Sequence, residues 1–153
     1  MATFKNIKEL NKYLQKQIDD SLKKEVADEV RSTMIKRIDE DVYDAYTPYS
    51  TDGITPHYER TYELKNPKNI IHYMLKDGMI AIENIRQDMS DGYRNIVEIL
   101  ESGRGYSWGY KRDLDLEIGA RPFVQNTRNE LSTSGRHIDA LKSGLNKRGI
   151  KTL

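Results

Sequence analysis

The chain has 153 residues, 37% of them hydrophobic and 32% charged, with a formal net charge of +1. That length suits one domain, spanning 1–153, with a modest core, and the polarity implies either a small core or burial completed against other subunits. Near-neutral charge and ten tyrosines argue against general disorder, and the same neutrality gives no global attraction to nucleic acid or anionic membrane. The lack of cysteine excludes disulfides and thiolate chemistry. With no apolar stretch of about 18 residues and no signal-type start, neither a membrane-spanning helix nor ordinary secretion is expected.

Residues 4–44 carry a helical pattern. Phe4, Ile7, Leu10, Leu14, Ile18, Leu22, Val26, Val30, Met34, Ile38 and Val42 recur at three- or four-residue steps. Thr3 or Asn6 is placed to cap the start, Asn6 with Glu9 in capping-box spacing. Each step of four overshoots a helical turn by about 40°, so the stripe winds around the helix. A straight helix of this length would reach roughly 60 Å, and a bend or break is expected near Leu22 to Val26. The opposite face, with Lys23, Lys24, Asp28 and Glu29, reads as solvated.

Residues 45–68 are aperiodic and hold three of the four prolines, so turns are expected. Within them, residues 58–64 fit a short helix or a strand equally well. Residues 70–75 and 79–85 then read as strands joined at Asp77-Gly78, a hairpin signal. Ser90-Asp91-Gly92 marks another turn. Residues 93–100 fit a strand or, slightly better, a helix through Ile96, Val97, Ile99 and Leu100. Residues 102–109 are loop, and 113–118 alternate as a half-buried strand. Pro122 suits the first turn of a helix, continued by Phe123, Thr127, Leu131, Ile138, Leu141 and Leu145, with a weak point at Ser132-Thr133-Ser134-Gly135. The expected fold is α+β: a long N-terminal helix, bent or straight, an antiparallel sheet of three to five strands, and a C-terminal helix.

Chemistry-bearing patterns are few. His57, His72 and His137 stand in separate segments without metal-ligand spacing, and a small enzyme around His72 is the weakest of the functional readings. Asp39, Glu40, Asp41 and Asp44 lack the features of a calcium loop. No catalytic, cofactor or metal site is expected. In residues 103–112, Arg104, Lys111 and Arg112 alternate with Tyr106, Trp108 and Tyr110. That mixture can stack bases and pair phosphates, but it equally composes protein–protein hot spots. With a neutral chain the protein interface is favoured, and a small nucleic-acid-binding module is the alternative.

The order of these segments resembles the gp10-like family of phage head–tail joining or tail completion proteins. The matching residues are Arg60, Thr61 and Leu64 after the first helix, Glu98 or Glu101 with Gly103 before the loop, and Ala120-Arg121-Pro122-Phe123 at the start of the last helix. The family often has glycine and a small residue where this chain has Tyr62-Glu63. The resemblance implies a non-enzymatic virion protein of the neck or upper tail, assembling as a homo-oligomeric ring. Its partners would be connector or portal-side proteins and the tail tube or tail terminator, with nucleic acid at most passing through the lumen. Arg104, Tyr106, Trp108, Tyr110 and Lys111 would then lie on a docking arm.

Overall fold

A computed structural model describes residues 4–45, 60–88, 94–104 and 119–152. The turn expected at residues 90–92, the strand expected at 113–118 and most of the loop at 103–112 lie outside these residues.

The N-terminal rod comprises α1 (Ile7–Ser21), a π turn (Leu22–Val26), α2 (Ala27–Ile38) and a second π turn (Asp39–Tyr43). Asn6 caps it, its Oδ1 accepting from the Glu9 N–H at 2.9 Å, while the Glu9 carboxylate reaches back to the Lys5 N–H. The discontinuity at Leu22–Val26 is thus a π turn within a continuing helix. A π turn holds one residue more than an α turn. It therefore takes back roughly one residue's rotation, about 100°, which is what two or three steps of four accumulate. The stripe stays aligned enough to bury Val26, Ala27, Met34, Ile38 and Val42.

The C-terminal rod is α4 (Phe123–Ser134) and α5 (Arg136–Lys147). They are separated at the expected weak point by Gly135, whose φ of 69° ends the first helix. This rod runs antiparallel to the first. Asn126 bonds Asp41 at 3.0 Å, Lys36 pairs with Glu130 at 3.0 Å, Arg136 reaches Glu29 at 3.3 Å, and Arg148 pairs with Glu25 at 2.8 Å. A Cβ on Gly144 would lie 2.8 Å from the Ser21 Cβ, so the rods cross there at a distance that only small residues allow.

Strands β1 (Ile70–Met74) and β2 (Ile80–Asn84) pair antiparallel, from Ile70 opposite Asn84 to Met74 opposite Ile80. The connection contains a short turn, Lys76–Gly78, where the hairpin was expected. Strands β3 (Gln87–Asp88) and β4 (Arg94–Asn95) form a second short ladder. The four strands among the described residues therefore lie in two ladders of two, not one sheet. Asn95 caps α3 (Ile96–Ser102) through the Val97 and Glu98 N–H groups, which decides the 93–100 ambiguity mostly toward helix. Residues 60–62 are irregular and Glu63–Lys65 is one turn of 3₁₀ helix, so of the two alternatives for this stretch a short helix forms, only at its end among the described residues.

The core gathers Met34, Ile38, Val42, Leu64, Ile70, Leu100 and Phe123. Phe123 is fully buried. Phe123→Ala is expected to cost about 3–5 kcal/mol, read as a lowered denaturation midpoint in urea; an unchanged midpoint would show that the ring contributes nothing to the core.

Burial raises the Glu25 carboxyl pKa. Its hydrogen bond to Arg148, with the backbone and the charges of Arg148 and Lys147, outweighs that and holds the group below 4.5. A carboxyl depressed by folding stabilises the fold above its unfolded pKa, and that contribution fades as pH falls through the folded value. The melting temperature of Glu25→Gln should therefore fall below wild type at neutral pH, with the gap closing below pH 4.5. A gap that persists undiminished in acid would show that Glu25 acts by packing alone.

Candidate interaction surface

The two signature segments meet at the C-terminal end of the long rod. A helix end leaves its last carbonyls without intrahelical donors. Here the Arg60 guanidinium donates to the Tyr43 carbonyl at 2.8 Å, and Arg121 donates to the Val42 carbonyl at 3.4 Å. Both cations also oppose the negative end of the helix dipole. Leu64 and Phe123 enter the core beside them, while Thr61 and Ala120 are exposed.

The Ala-Arg-Pro-Phe turn is built on the end of α3. Gly103 terminates that helix at φ 67°, and a Cβ there would lie 2.5 Å from the Ala120 nitrogen. The Arg121 N–H donates to the Leu100 carbonyl at 2.7 Å. Pro122 sits at the cap position, just before the helix rather than within its first turn, and supplies no side-chain acceptor. Glu101 serves instead, its Oε1 accepting from the Val124 N–H at 2.7 Å. Of the two acids matched with Gly103, Glu101 is thus the one engaged with this turn. Sequence spacing gives no hint of that cap, because donor and acceptor are 23 residues apart.

Tyr62 is the one described non-glycine residue at positive φ, 54°. It occupies the place where the resembling family often has glycine. The strain costs roughly 1–2 kcal/mol, and aromatic contacts offset part of it. Its ring lies 4.9 Å from that of Tyr43, and the Lys65 ammonium sits 5.0 Å over the Tyr62 ring while pairing with Asp39 at 2.7 Å.

Of the acids considered for a cation, Asp39, Glu40 and Asp41 are engaged by basic side chains instead. Asp39 meets Lys65, Glu40 meets Arg37, and Asp41 meets Arg37 and Asn126. Among the described residues no group of acids and histidines converges as a metal site would. His72 Nδ1 lies 3.3 Å from the Arg31 guanidinium. His137 is half-buried on α5, and His57 lies outside the described residues. Of the expected contact residues, Arg104 is exposed just after α3. Tyr106, Trp108, Tyr110 and Lys111 lie outside the described residues.

A surface that the sequence reading passed over stands on the hairpin. Ile70, His72 and Met74 face the body. Ile71, Tyr73 and Leu75 face outward, with Met79, at 57% exposure, and Ile85 flanking β2; Glu83 shares this face and accepts from the Tyr73 hydroxyl at 2.5 Å. The available signal was the unbroken run Ile70-Ile71-His72-Tyr73-Met74-Leu75. A strand with one wet face alternates, whereas a strand apolar on both faces is built to be covered on both. The register leaves the backbone groups of His72, Met74, Ile80 and Ile82 directed away from the hairpin partner, so the ladder has open edges among the described residues.

These features belong to a chain of a phage-type domain family. It is a member of the YomN family, whose profile matches residues 6–147. No curated protein and no solved structure matches it.

Glu101→Ala should remove the cap on α4 and destabilise the fold by about 0.5–2 kcal/mol, with Glu101→Gln losing less. Equal stability of all three proteins in urea titration would mean that the Val124 N–H needs no side-chain acceptor.

Proposed function

We propose that this phage-family protein is a head–tail joining or tail completion subunit that works by assembly and catalyses no reaction. Copies form a ring at the head–tail junction or the upper end of the tail, in contact with connector or portal-side proteins above and tail tube or tail terminator proteins below. The observation that carries this reading is the outward apolar face of the β1–β2 hairpin. An isolated two-stranded hairpin is marginal in water, and open strand edges invite pairing with another chain. A neighbouring copy laid on this face would cover Tyr73, Leu75 and Met79 and satisfy an edge. Repeated head to tail, such a contact closes into a ring. The resemblance in segment order supports the location in the virion, and Arg104 with the loop after it is then the arm toward a different neighbour.

The reading is tested on purified protein and on particles. Native mass spectrometry of the wild-type chain should give a closed oligomer of one stoichiometry. Tyr73→Asp combined with Met79→Asp should give monomers with an unchanged circular dichroism spectrum. In the phage, loss of the gene should leave filled heads and unattached tails. Normal particles without the protein, or a double variant that assembles as wild type, would overturn the proposal.

A further inference from the structure

The first three turns of α1 carry their charge against the physics of an isolated helix. Between Phe4 and Ile18 the acid is Glu9 alone, against Lys5, Lys8, Lys12 and Lys16. At 100° per residue Lys8, Lys12 and Lys16 fall within an arc of about 80° and span about 12 Å of helix axis, while Lys5 stands just before the Asn6 cap. All four are exposed, and no acidic side chain among the described residues pairs with any of them. Lys8–Lys12 and Lys12–Lys16 are like-charge pairs at four-residue spacing, each destabilising by about 0.2–0.5 kcal/mol. Lys5 and Lys8 also sit at the positive end of the helix dipole, where cations are disfavoured. The end of α5 lies beside Ser21 and Glu25. Elsewhere the molecule engages Arg31, Lys36, Arg37, Lys65, Arg136 and Arg148 in ion pairs. Here it gathers cations that no acid among the described residues neutralises.

We propose that this lysine stripe binds the phosphate backbone of duplex nucleic acid without regard to base sequence. A duplex carries a negative charge every 1.7 Å or so of its axis, dense enough to engage all four lysines along one line. A bilayer surface fits less well, because amphipathic membrane helices bury a broad open apolar face. On α1 that face is mostly taken. Leu10, Tyr13 and Leu14 are half-buried, and Phe4 packs on Tyr13 at 5.1 Å, which leaves Ile7 as the large apolar side chain fully in the open.

The test is fluorescence anisotropy of the full chain with a labelled duplex of arbitrary sequence across a salt series. Wild type should bind at low salt, with affinity falling steeply as salt rises. Replacing Lys5, Lys8, Lys12 and Lys16 together by Gln should flatten the log–log salt slope by about three to four, and replacing them by Arg should restore it. The Gln variant should melt no lower than wild type, since it removes repulsion; were it to misfold, Lys12→Gln alone should flatten the slope by about one. Three results would overturn the proposal. They are no binding by wild type at low salt, an unchanged slope in the Gln variants, and binding to vesicles of equal phosphatidylglycerol and phosphatidylcholine in place of DNA. The measurement is independent of ring formation, so either proposal can fail while the other stands.

Discussion

An apolar stripe spaced by fours advances about 40° at every step. On an unbroken α-helix, Leu14 and Val30 would end up about 160° apart around the cylinder, and no single layer could cover both. The two π turns, at Leu22–Val26 and Asp39–Tyr43, remove that drift where it has accumulated. Everything else is laid along the realigned stripe. The C-terminal rod covers one side in antiparallel register, and the hairpin's inner face covers another. The first π turn also adjoins the close approach of the rods at Ser21 and Gly144. Rewinding of the stripe and approach of the second rod are therefore parts of one local arrangement.

The end of the long rod poses the complementary problem. Its final carbonyls face the middle of the chain, and the fold brings two distant arginines to them. Arg60 and Arg121 arrive from 17 and 79 residues downstream, at Tyr43 and Val42, each followed by a core residue, Leu64 or Phe123. Closing the helix and nucleating the core are thus done by the same two short segments. Gly103 allows the close pass of Ala120, and Glu101 starts α4 from the end of α3. A change in this cluster would be felt in several elements at once.

Much of this was legible in the residues. The long helix, its Asn6 cap, the discontinuity near Leu22, the hairpin at Asp77-Gly78 and the break at Gly135 each follow from spacing or from a residue with a strong local preference. What was not legible depends on partners distant in the chain. The Glu101 cap, the arginines on Val42 and Tyr43, and the left-handed Tyr62 held by Tyr43 and Lys65 have no local periodicity to announce them. The division of the strands into two ladders is of the same kind, since register and neighbour choice are tertiary properties.

Of the signature residues, Arg60, Arg121, Leu64 and Phe123 are spent within the subunit, as caps and core. They mark the scaffold. Contact surfaces are better sought where the chain breaks a local rule without internal compensation. Two such places stand out, and they differ in kind. The hairpin run is apolar on both faces although the described residues cover one. The start of α1 stacks lysines on a single line, at the end of the helix where they are disfavoured. The first surface suits a dry contact with another folded chain, the second a charged polymer in water. A subunit that carries both can join a shell of its own kind and still present charge to something of a different chemical nature.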